Sequence, residues 1–372
     1  MRGVAIHALP DGAPMNDGDG PAAEAAATEA QGRRWHPRPR GPRYLAVWVA
    51  TGLLFAASPL LASNSLTGSA LASMLPYASM LAIASIGQTL VIQQRGLDLT
   101  VPGMILLSTV ILTQYAHASN QRLAVAIALV IVACVASGLV SGLAVTRFGI
   151  TPLVATLGVN ALLLGTVYQL TNGQATASSP PGLARFAASK TVGIPNTALV
   201  AALGVSLLAI LIKATIPGRR FVAVGASPAA AHAAGIRVSR YIIGTYVLAS
   251  LTYGAAGILI TGYLLTPGLS AGQSYLLPTI AAVVLGGTSL AGGVGSVVAT
   301  AVGAVFLIQL QQILSGNGAA PSVEYIVQGS IIALGMGLRN VPWRGLFGRI
   351  SAARGPTTGG GVSARGPAVR GQ

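Results

Sequence analysis

The chain has 372 residues, of which 53% are hydrophobic and only 8% charged. Soluble domains carry about 25% charged residues, so a water-soluble globular protein is excluded and a polytopic, helical membrane protein is expected. The formal charge of +15 sits in the tails and between apolar segments, the placement that sets membrane orientation, and there is no aromatic-interleaved basic surface of the kind that nucleic acid needs.

Residues 1–43 differ from everything after them. They are rich in Ala, Gly and Pro and hold five of the seven acidic residues, Asp11, Asp17, Asp19, Glu24 and Glu29. No apolar core follows a basic start, so a signal peptide is not expected. The composition predicts a disordered cytoplasmic tail that ends in the basic stretch "RRWHPRPRGPR". Residues 351–372 predict a second such tail.

Between the tails lie ten apolar segments, at about 44–63, 69–92, 98–115, 123–146, 150–172, 198–216, 241–265, 275–291, 293–314 and 322–338. A span needs about 20 apolar residues. The third and eighth segments are short and broken by Gly or Pro, and the eighth either spans or re-enters. The expected fold is therefore an all-α membrane domain over 44–350, with about ten transmembrane or re-entrant helices.

An even count places both termini on one side. With the N-terminus inside, Arg95, Arg147, Lys213, Arg219, Arg220, Arg237 and Arg240 fall inside with both tails, against Arg122, Arg185 and Lys190 outside. Cytoplasmic loops collect Lys and Arg, so both termini are expected to be cytoplasmic, the 213–240 loop internal and the 173–197 loop periplasmic.

The second and third segments are separated by "QQRGLDLTVPGM", residues 93–104. Asp98 and Glu324 are the only acidic residues between the tails, and acids near hydrocarbon need a partner or a purpose. Two readings of Asp98 stand: it caps a helix starting near Leu99, leaving Arg95 to the inner headgroups, or it gates a pathway. Glu324, after Pro321, suits a helix start. Gln88, Thr89, Asn160, Gln169, Thr171, Asn172 and Gln309 bring uncharged hydrogen-bonding groups into apolar runs. They suit a neutral polyol passing through, or helix–helix hydrogen bonds.

In the loop over 213–240, Ser227 suits an N-cap, Pro228 the first helical position and Gly235 the end. A short capped helix over 227–236 is expected, either seated on headgroups or docking a soluble partner. The Gly-rich stretch "LGGTSLAGGVGS" (285–296), with Thr288 and Ser289, fits neither Rossmann spacing nor its context. It reads as a break between two membrane segments, serving packing or a gate. Gly138 and Gly142, four apart, read as a packing notch.

No enzymatic constellation is expected. Cys134 has no partner cysteine, the four histidines are scattered, and the two lysines, Lys190 and Lys213, lie outside any phosphate-binding loop. No cofactor or metal is implied.

Four stretches together are similar to the ribose-type sugar ABC permeases. They are "RGLDLTVPG" (95–103), "GITPLVATLGVNALLLGTVYQLTNG" (149–173), "GRRFVAVGASPAAAHAAGIRVSR" (218–240) and "SYLLPTIAAVVLGGTSLAGGVGSVVATAVGA" (274–304). They occur in family order over about 45–338, with Thr100, Pro102 and Ser227 departing from the usual Ser, Gly and Asn. The resemblance implies an inner-membrane import permease that works as a dimer with an ATP-hydrolysing subunit and a periplasmic solute-binding protein. It further implies that Ser227, Pro228, Ala230, Ala231, Ala234 and Gly235 form the element that meets the ATPase. Asp98, Gln88, Asn160, Thr288 and Ser289 are the pathway or gate candidates. A monosaccharide such as ribose is the implied cargo. Related cargoes are a nucleoside or a branched-chain amino acid, and an ion-coupled secondary transporter titrating Asp98 is the reading from a different class.

Overall fold

The computed structural model describes residues 44–174 and 178–340; the expected tails, 1–43 and 351–372, lie outside the described residues. The helices are α1 (Leu45–Leu61), α2 (Gly68–Gln93), α3 (Val101–Val110), α4 (Leu123–Thr146), α5 (Pro152–Thr171), α6 (Pro181–Ala188), α7 (Asn196–Ala214), α8 (Ile216–Ala226), α9 (Pro228–Ala233), α10 (Val238–Leu264), α11 (Leu276–Leu285), α12 (Val297–Gly316) and α13 (Pro321–Asn340). A π-helical turn over Ile111–Tyr115 extends α3, and one two-residue hairpin pairs β1 (Lys190–Thr191) with β2 (Ile194–Pro195).

Among the described residues, six helices are long and apolar enough to cross a membrane: α2, α4 with the turn before it, α5, α7, α10 and α12. The stretches Leu45–Leu61, Val101–Tyr115 and Gln273–Leu285 are apolar but shorter. At about 1.5 Å per residue, the 10 residues of α11 fall well short of the roughly 30 Å hydrocarbon core. The eighth segment is thus helical only to Leu285, and the chain over 286–296 is irregular.

The core is built on α2 and α10. From Ala78 to Gln93 every residue of α2 is buried, and α10 packs against α2, α3, α4 and α6. Close approach of α10 and α4 rests on the expected notch. A Cβ on Gly138 would meet the Tyr246 carbonyl oxygen at 2.7 Å, and one on Gly142 would meet Ile243 Cα at 2.8 Å. Small residues that let backbones touch are the usual device where helices have no water to drive them together.

The outer helices are apolar all round. Val132 on α4, Leu162 on α5 and Leu203 on α7 are each more than 60% exposed, which is a cost in water and none in lipid. Inside, uncharged polar side chains join helices: Thr89 donates to Thr300 Oγ1 at 2.9 Å, and Gln309 Nε2 to Ser58 Oγ at 2.9 Å.

Two helices escape the hydropathy reading. The loop over 173–197 contains α6, which buries Leu183 and Ala187, four apart, against α10 at Gly262. The stretch over 213–240 contains α8 as well as the expected shorter helix. Thr215 Oγ1 accepts from Gly218 N at 3.1 Å and so caps α8, which opens with Pro in its first turn.

Candidate functional site

The first membrane break is the segment between α2 and α3. Arg95 has φ +64°, and Gly96 N closes the end of α2 by donating to Val91 O at 3.0 Å. The next residues are held from outside: Leu99 N donates to Thr156 Oγ1 at 3.0 Å, and Gly103 N to Asn160 Oδ1 at 2.9 Å. Gly103 is the third residue of α3, so Asn160 on α5 satisfies an N–H that an N-cap side chain would ordinarily take.

Asp98 therefore does not cap as expected. The helix begins at Val101, two residues later than the sequence suggests, and the residue in the cap position, Thr100, makes no side-chain cap bond. Asp98 Oδ1 instead accepts from Thr100 N at 2.9 Å and Thr100 Oγ1 at 2.7 Å. This is a local Asx turn, the usual alternative for an Asp beside a turn. Arg95, although exposed, also binds the protein. Its Nε donates to Gly225 O at 2.9 Å and a terminal N–H donates to Ala226 O.

Behind the break lies a buried polar group. The Tyr253 hydroxyl on α10 faces the Asp98 carboxyl and donates to Gln88 Oε1 at 3.1 Å. Asp98 is 1% exposed, and Gln88 and Tyr253 are fully buried. Among the described residues, Gln88 Nε2 and Asp98 Oδ2 have no hydrogen-bond partner. Three of the candidates thus converge on one break: Gln88 and Asp98 through Tyr253, and Asn160 through Gly103. Tyr253 was not singled out from the sequence. Its signal is a hydroxyl-bearing aromatic inside an apolar helix, a group that seeks a partner when buried.

The second break runs from the end of α11 to Ser296. Gly287, Gly292 and Gly293 have φ of +81°, +83° and +71°, conformations that side chains adopt at a cost. Ser289 N donates to Val294 O at 2.8 Å, and Ser289 Oγ accepts from Ala291 N at 3.3 Å. Ser289 thus closes the turn, while Thr288 is buried beside it. Ser296 Oγ caps α12 by accepting from Ala299 N at 3.3 Å. Thr288 and Ser289 are not part of the Asp98 group. The two breaks touch instead through Gly293 N, which donates to Gln93 O at 2.9 Å.

The short helix has the expected caps. Ser227 Oγ accepts from Ala230 N at 3.3 Å, and Gly235 ends it with φ +77°. Ile236 N closes back onto Ala231 O at 3.0 Å. Ser227 and Pro228 are half-buried, and Ala230, Ala234 and Gly235 are exposed. Ala231, at 4% exposure, faces inward and seats the helix.

A helical bundle with apolar outer faces, broken twice at membrane segments and carrying a capped connecting helix, defines a multi-pass membrane protein. The family model for the permease component of branched-chain amino acid transport systems matches residues 70–335, and the chain belongs to that family. It is similar to the ribose import permease protein of Escherichia coli (strain K12), 33% identical over 293 residues that cover 77% of this chain and 90% of that one. The galactose/methyl galactoside import permease protein of Haemophilus influenzae is 30% identical over 213 residues, 55% of this chain and 63% of its own. The autoinducer 2 import system permease protein of Photorhabdus laumondii is 29% identical over 265 residues, 70% of this chain and 79% of its own. No solved structure matches.

Proposed function

We propose that the chain is the multi-pass inner-membrane subunit of a binding-protein-dependent ABC importer that carries a monosaccharide such as ribose. The observation that carries the reading is the match to a ribose import permease over nine-tenths of that protein's length. The polar groups at the breaks support a neutral cargo, since Gln88 and Thr288, which are buried, and Asn160 and Ser289, which are half-buried, are all uncharged. In this reading about ten helices span or re-enter, both termini are cytoplasmic, and two copies enclose the path. A separate subunit hydrolyses ATP, and a periplasmic protein delivers the solute. The residues Ser227, Pro228, Ala230, Ala231, Ala234 and Gly235 form the element that docks the ATPase: its exposed face meets the partner and Ala231 anchors it. Asp98 and its neighbours at the breaks line or gate the path.

The family's own description favours a second cargo, a branched-chain amino acid. Ligand identification on the cognate periplasmic binding protein separates the two. Calorimetric binding of ribose, with none of leucine or isoleucine, is the expected result; the reverse would replace the sugar reading.

A further inference from the structure

Arg95 stands where three segments of distant sequence meet. It follows α2 in the first break, and its guanidinium binds the carbonyls of Gly225 and Ala226, 130 and 131 residues away. Those carbonyls end α8, where helix oxygens lack partners and carry partial negative charge. A guanidinium fork fits two such acceptors better than a point charge does. Ala226 is followed directly by Ser227, the cap of α9. Gln94 adds a second tie, donating from Nε2 to Phe221 O at 2.8 Å.

The second break closes on the same point. Gly292 lies against the Arg95 side chain, and a Cβ there would also meet Gly225 O at 2.6 Å. A Cβ on Gly293 would meet Ala226 Cα at 2.6 Å, and Gly293 N is bonded to Gln93 O. Backbone packs on backbone among all three segments, so a shift of α8 cannot be absorbed by side chains. An arginine serving only membrane orientation needs no protein partner, and here two of the five guanidinium N–H groups are bonded to carbonyls of a distant helix.

We propose that Arg95 is a positioning residue that passes movement of α9 into the first membrane break, and that the glycines at 292 and 293 bring the second break along. Displacing α9 carries the Gly225 and Ala226 carbonyls with it. Arg95 then either follows, turning the chain three residues before Asp98, or loses both bonds. The inference rests on the reading of α9 as the ATPase-docking element.

The test uses the assembled complex with its ATPase subunit in inside-out vesicles. One reporter cysteine is placed on α9 (Ala233→Cys) and another in the break (Leu97→Cys); Cys134, the only native cysteine, is buried and stays. Maleimide labelling is compared without nucleotide and with ATP plus vanadate. With Arg95 present, both reporters are expected to change rate by at least about twofold. In Arg95→Ala the α9 reporter keeps its response and the Leu97 reporter loses it, with Arg95→Gln behaving alike. A Leu97 response that survives both substitutions, or that is absent when Arg95 is present, overturns the inference. Loss of both responses in both variants also overturns it, marking Arg95 as merely structural. If the α9 reporter is silent with Arg95 present, the docking reading itself fails and takes the inference with it.

Discussion

The Tyr253 hydroxyl donates to Gln88 Oε1 across 3.1 Å and joins α10 to α2. Both side chains are fully buried, and the same hydroxyl faces Asp98. Replacing Tyr253 by Phe removes one oxygen and strands buried polar groups, which costs about 1–3 kcal/mol. Thermal unfolding of the purified protein should show Tyr253→Phe destabilised. Adding Gln88→Leu should restore part of the loss, since it removes the Gln88 amide left unpaired, and only part, since Asp98 still lacks the hydroxyl it faces.

Asp98→Asn separates charge from geometry. The amide oxygen can still accept from Thr100 N and Thr100 Oγ1, so the Asx turn survives. Asp98→Ala cannot make it and should lose about 1–3 kcal/mol. If the turn is the whole role of Asp98, the Asn variant transports at native rates when matched for protein level. Loss of transport in a folded Asn variant would assign the carboxylate to the gate.

The notch on α4 gives a stability prediction with an internal control. Gly138→Ala places a Cβ at 2.7 Å from the Tyr246 carbonyl oxygen and should cost about 1–3 kcal/mol through overpacking. A Cβ on Gly244 of α10 would meet nothing within 4 Å. Gly244→Ala should be neutral or stabilising by up to about 1 kcal/mol. Paired unfolding midpoints check both.

The two faces of α9 should respond differently. Ala230 is exposed and Ala231 buried. Ala230→Arg should leave the protein folded while weakening co-purification with the ATPase subunit. Ala231→Arg buries a charge and should lower the amount of folded protein itself. If Ala230→Arg leaves assembly untouched, α9 is not the docking element.

Hydropathy made the membrane elements legible. Nine of the ten apolar segments match helices within a few residues, the eighth is helical only to Leu285, and the caps at Ser227 and Gly235 follow from local residue chemistry. What stayed hidden was pairing. Arg95 reads as a topology residue because its acceptors are backbone carbonyls, which have no sequence signature. Asp98 reads as a cap because a cap and an Asx turn use the same residue beside the same helix. The helix α6 is short, and its two inward residues, Leu183 and Ala187, are too few to stand out from a polar loop. The helix α8 lies in a stretch rich in basic residues, where composition hides a periodic face. Tyr253 and Gln88 sit 165 residues apart, and only the fold of α10 against α2 brings them together.

In the proposed function this chain imports solute on ATP hydrolysed by a separate subunit. Uptake of labelled ribose into proteoliposomes measures it directly, with the chain reconstituted beside its ATPase subunit and its binding protein supplied. Uptake that requires ATP and the binding protein, and survives ionophores that collapse ion gradients, is the predicted result. Uptake by the chain alone, without ATP and driven by a proton or sodium gradient, would contradict it.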